Sequence, residues 1–188
     1  MRMNNSIVQW KQALMVCCVL LLICSHAQGQ TTATGKLTVS GRVQGSLGLV
    51  FNNNPAVGTN GFCPLTNAGT NNVGLDMGTA SYTTGDSLAC ITFFRGFGFY
   101  LVSSSFDVVV TKANVTSPNY QLAASLSTTP PANVFWNVNF TLLSTTFTTI
   151  QAANNYAAPV TETLGVIVNQ NVPQQTLFET INFLATAN

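Results

Sequence analysis

From position 36 onward, apolar side chains recur at every second residue, and nowhere at helical spacing with good caps. Leu37, Val39 and Val43 alternate with Lys36, Thr38, Ser40, Arg42 and Gln44, and Leu47, Leu49 and Phe51 continue the pattern. Tyr120, Leu122, Ala124 and Leu126 form another such set, followed by Trp136, Val138, Phe140 and Leu142. Leu164, Val166 and Val168 come next, and Ile181, Phe183 and Ala185 complete the series. Successive strand side chains point to opposite faces, so period two in β-branched and aromatic residues predicts half-buried strands. Many short strands separated by Gly, Pro and Asn predict an all-β fold. The expected form is an immunoglobulin-like sandwich of two antiparallel sheets.

Two stretches break the pattern. Residues 52–85 are rich in Asn, Gly and Thr, which predicts long loops with one short strand around Val73 to Met77. Residues 91–101 (ITFFRGFGFYL) carry Phe93, Phe94, Phe97, Phe99 and Tyr100, interrupted by Gly96 and Gly98. Such glycines mark a bulge or bend in a strand or hairpin. The aromatics read mainly as core, because aromatic side chains are usually buried. If one face stays open, it is an apolar patch that needs a partner.

The start of the chain has a different character. Arg2 and Lys11 precede an unbroken apolar run over residues 13–24, and Ser25-His26-Ala27 places small residues at the −3 and −1 positions of a cut before Gln28. A positive start, a short apolar run and a small-x-small site predict a secretory signal peptide over residues 1–27. Twelve apolar residues fall short of the roughly 20 that a spanning helix needs. The expected product is one domain over residues 28–188, with a flexible lead-in over 28–35, no membrane span and no cofactor. Its expected location is outside the cytoplasm: periplasm, cell surface or extracellular space.

Cleavage would remove Cys17, Cys18 and Cys24 and leave Cys63 and Cys90. An even pair in an exported chain predicts one disulfide. Closing a loop of that size stabilises by roughly 3–4 kcal/mol in the chain-entropy model. The pair lacks CxxC spacing and a histidine partner, which argues against a zinc site.

Loss of the leader also removes the only histidine, His26. Triads and dyads built on histidine are then impossible. Four cations remain (Lys36, Arg42, Arg95 and Lys112) against Asp76, Asp86, Asp107, Glu162 and Glu179, a net charge of −1. There is no basic patch for nucleic acid. The carboxylates form no local motif for glycoside hydrolysis, and Asp107, Glu162 and Glu179 read as solvated side chains. The chain is therefore expected to be a structural or binding protein with no catalytic residues and no metal ligands. Trp136 admits two readings. An exposed ring can stack on a sugar, which would make the protein a monomeric carbohydrate-binding module. Its strand phase with Val138 instead turns it into the core.

The apolar leader, the alternating segment GKLTVSGRVQGSLGLVF, the single cysteine pair and the alternating segment TINFLATAN together resemble secreted bacterial pilin-type domains. The nearest in style are the spore coat protein U-like and chaperone–usher subunit families. That resemblance implies a subunit of a surface assembly, adhesin-like or structural, that associates with copies of itself or with other subunits. It further implies assembly by donation of an N-terminal β-strand to a neighbour. Leu37, Val39 and Val43 would be the donated side chains, with Gly41 at the tight position. The same segment could equally pair within its own domain as an ordinary first strand.

Overall fold

The computed structural model describes residues 40–41, 44–59 and 61–188. The expected signal peptide, the lead-in and the donor side chains Leu37, Val39 and Val43 lie outside the described residues. All the described strands belong to one compact unit, Val43–Asn188.

This unit is all-β, and every strand pairing is antiparallel. Its centre is a fifteen-residue strand, β7 (Phe99–Ala113). One edge of β7 pairs from Phe99 to Val108 with β12 (Val160–Asn169), and β12 pairs in turn with β9 (Val134–Val138). The other edge is shared: β1 (Ser46–Asn52) covers Asp107 to Ala113, and β6 (Thr92–Arg95) covers Tyr100 to Ser103. Between them, the Ser105 N–H donates to Gly61 O at 3.0 Å, so the middle of the edge is also satisfied. A short strand, β10 (Thr141–Leu142), extends the sheet beyond β9.

The second sheet has three strands. β8 (Asn119–Leu126) lies between β11 (Thr148–Asn155) and β13 (Ile181–Ala187). Two two-stranded ribbons, β2 (Leu65–Thr66) with β3 (Gly74–Leu75) and β4 (Ala80–Ser81) with β5 (Gly85–Asp86), occupy the Asn-rich stretch.

The alternation works as the pattern predicts. Tyr120, Leu122 and Ala124 of β8 are fully buried and face Phe106, Val108, Val110, Leu164 and Val166 from the larger sheet. Phe51, Phe106 and Phe183 meet edge to face, with ring centroids 5.1–6.0 Å apart. That geometry sets positive ring edges against negative ring faces. Cys63 and Cys90 are joined in a disulfide, with Cα atoms 4.9 Å apart. Cys63 is buried, and its N–H donates to Ser104 Oγ at 3.0 Å, which fastens the bridge to the middle of β7.

Three expectations are corrected. Phe140 and Leu142 do not continue the inward face of β9. The chain reverses at Asn139 and Phe140, both at positive φ (52° and 63°), and β10 folds back on β9. Two successive residues at positive φ form a type I′ hairpin turn, so Phe140 is exposed. Asp107 and Glu162 are not solvated; both are buried. The aromatics of residues 91–101 are not mainly core. Phe93 and Tyr100 stack on the inner side with centroids 5.8 Å apart, whereas Phe94 and Phe97 are exposed.

The strand order has a consequence for the site. In a seven-strand immunoglobulin-type sandwich, one sheet runs A-B-E-D and the other carries C, F and G. Here β1-β7-β12-β9 takes the A-B-E-D order, and β8 and β13 take the places of C and F. Among the described residues, no strand pairs with the second edge of β13.

Candidate functional site

Beside that free edge lies a cleft of about 1960 Å³. Its floor is the inner face of the larger sheet: Tyr100 and Val102 from β7, Trp136 from β9, and Leu164, Val166 and Val168 from β12. Leu47, Leu49 and Phe51 of β1 and Ile181 and Phe183 of β13 also line it. Residues 71–83 and residues 170–180 contribute the remaining lining. Inward strand positions normally meet an opposing sheet. Here the three strands of the smaller sheet do not span the whole inner face, yet the floor residues Val102, Trp136, Leu164, Val166 and Val168 are buried, at 3–9% exposure, beside the loop segments that line the cleft.

Size and polarity restrict what the cleft can hold. Small-molecule pockets occupy about 300–1,000 Å³, and this cleft exceeds that. Its charged lining residues are Asp76 and Glu179, and each has hydrogen-bond work within the fold. Asp76 Oδ1 accepts from the Gly78 N–H at 2.8 Å. Glu179 accepts from the N–H groups of Ser127 and Thr128 and from the Thr128 hydroxyl at 2.6–3.1 Å. An apolar floor beside a strand edge left unpaired among the described residues suits an extended polypeptide. Backbone groups can pair with the edge while alternate side chains enter the floor.

Trp136 belongs to the cleft floor. It is 9% exposed and turned inward, between Val134 and Val138 on β9. No tyrosine among the described residues stands fully exposed: Tyr120 is buried, and Tyr82, Tyr100 and Tyr156 are half-buried. Among the described residues, no three His, Cys, Asp or Glu side chains come together as a metal cluster.

A second polar feature lies deeper in the core and was not visible in the sequence. Glu162 projects inward from β12 and is fully buried. Its Oε2 accepts from Asn139 Nδ2, while Asn139 Oδ1 accepts from the Thr163 N–H at 2.9 Å. Glu162 Oε1 and the Tyr120 hydroxyl make no protein hydrogen bond. Burial pushes the Glu162 carboxyl up to about 7, and the hydrogen bond from Asn139 and the polar Gln151 side chain oppose that rise. Burial also raises the Tyr120 hydroxyl, helped by the nearby Glu162 charge. Asp86 is raised as well, first by burial and then by Asp76, against a lowering hydrogen bond from the Leu88 N–H.

No protein-family model matches the chain, and comparison with curated proteins gives no match. The disulfide fits an oxidising compartment such as the periplasm or the extracellular space. No helix among the described residues is long and apolar enough to cross a membrane.

Proposed function

We propose that the protein is a secreted, non-enzymatic structural or adhesin-like subunit of a bacterial surface assembly, joined to its neighbours by β-strand donation. The supporting observation is the cleft: about 1960 Å³, floored by inward strand residues and bordered by the edge of β13 that no strand among the described residues pairs with. The donated segment in this reading is the stretch just before β1, with Leu37, Val39 and Val43 as inserted side chains. Alternate apolar residues suit such a groove because every second side chain of a strand faces the same way. The inward position of Trp136 argues against a carbohydrate-binding module built on that ring.

The test is gel migration of native, surface-derived protein with its disulfide intact, unboiled and boiled. Strand donation predicts a ladder in the unboiled lane that collapses to one band on boiling. Val39→Asp should abolish the ladder while leaving the thermal transition of the monomer in place. A single band near the monomer in both lanes refutes the proposal.

A further inference from the structure

The outer face of the larger sheet carries a second feature, independent of the cleft and of strand donation. Phe94 on β6 pairs with Leu101 on β7, Leu101 pairs with Ile167 on β12, and Ile167 pairs with Phe135 on β9. Directly opposed residues in antiparallel strands share a face, so these four form one apolar row across four strands. Phe94 is 56% exposed and Phe135 48% exposed. Leu142, opposite Asn137 on β10, and Phe97, at the tip of the β6–β7 hairpin, enlarge the patch.

We infer that this face is a two-fold interface with a second copy of the same chain. Three observations point to that occupant. The first is order: across the sheet the row reads aromatic, aliphatic, aliphatic, aromatic. A two-fold axis parallel to the strands would reverse the row, placing Phe94 on Phe135 of the other copy and Leu101 on its Ile167. Such self-complementarity is what an isologous contact requires.

The second is charge. Among the outward positions of β1, β6, β7, β9 and β12, the charged side chain is Asp107. It accepts from Asn54 Nδ2 at 2.9 Å and from Thr161 Oγ1 at 2.7 Å. Two copies of this face can therefore meet with little like-charge repulsion, and a strongly charged partner finds nothing to pair with.

The third is area. At roughly 200 Å² per phenylalanine, Phe94, Phe97 and Phe135 expose about 400 Å² of aromatic surface. A standard interface buries about 800 Å² per partner, a little over half of it apolar. The three rings with Leu101, Ile167 and Leu142 supply that apolar share. Thr92, Ser103 and Asn169 provide a polar rim. Sheets stacked face to face pack about 10 Å apart, close enough for the two rows to interdigitate.

Sedimentation equilibrium of the mature protein between about 1 and 100 µM tests this. The expected result is a dimer that dissociates on dilution, unlike the boiling-sensitive polymers of strand donation. The double variant Phe94→Ser/Phe135→Ser should raise the dissociation constant at least tenfold, and Phe147→Ser, an exposed phenylalanine outside the row, should leave it unchanged. If the double variant loses its cooperative thermal transition, Phe97→Ser at the fully exposed hairpin tip must weaken the dimer instead. A monomer throughout the concentration range overturns the inference, as does a dimer indifferent to these substitutions. Binding of a soluble glucan to monomeric protein, lost in the double variant, would assign the face to a glycan and overturn it too.

Discussion

Replacing Glu162 by glutamine should flatten the pH dependence of folding between about pH 4.5 and 7. Burial lifts the folded-state pKa from 4.5 to about 7. The folded protein therefore holds this proton more tightly than the unfolded chain does. Stability from this source is fully present below the unfolded value of 4.5 and is lost as pH rises through the folded value near 7. At 1.36 kcal/mol per unit, a shift of this size corresponds to roughly 2–3 kcal/mol. The glutamine amide is neutral at every pH, and its oxygen can still accept from Asn139. Urea unfolding at a series of pH values reads the difference. With a denaturant slope near 2 kcal/mol/M, the wild-type midpoint should fall by about 1 M relative to the variant between pH 4.5 and 8. Asp86, also raised by burial, acts in the same direction but is present in both proteins, so subtraction removes it. Parallel pH profiles for the two proteins would refute the claim that the Glu162 carboxylate is desolvated in the core.

Local geometry sets the other expectations. Phe140→Gly should stabilise the fold by about 1 kcal/mol, because an exposed side chain at positive φ is exchanged for a residue without the left-handed penalty; thermal denaturation reads this. Replacing Cys63 and Cys90 together by serine should cost roughly 3–4 kcal/mol in chain entropy, seen as a lower urea midpoint that reductant no longer affects. Leu122→Ala, at a position with no exposure on the central strand of the smaller sheet, should cost about 2–5 kcal/mol in urea unfolding.

Much of the sandwich was legible because one-sided burial writes itself as period two. The inward residues of β1, β8, β12 and β13 obey that rule, with the buried Glu162 of β12 as an exception. β7 was harder to read. Its inner face carries Ser104 among Val102, Phe106 and Val108, and that serine is buried because its hydroxyl serves the Cys63 N–H. β11 (TTIQAANN) hides for a different reason: it is an edge strand with register shifts against β8 and little apolar content. The reversal at Asn139 and Phe140 lacks the glycine that usually announces a type I′ turn. Asn139 holds its place by bonding Glu162 and Thr163, partners 23 and 24 residues away that no local pattern reveals. The cleft was not legible in any local pattern, since the part of a sheet that its partner sheet leaves open is a property of strand order. The apolar row on the outer face likewise depends on register: Phe94 and Phe135 look unrelated until four strands bring them into line.

The bridge between Cys63 and Cys90 closes off the intervening segment as a side branch of the chain. To the rest of the sandwich, that branch enters and leaves through two points anchored on β7, by Ser104 at one end and by the β6 pairing at the other. The branch includes residues 71–83, which line the cleft, but contributes no strand to the two main sheets. A protease cut within it would leave both fragments covalently joined, so the nick would show only after reduction. Substitutions and changes of length in the branch can likewise remodel one side of the cleft without altering the pairing of the main sheets. Cleft lining and architecture are thereby separated along the chain, and a lineage of such proteins could reshape the cleft while keeping how it folds.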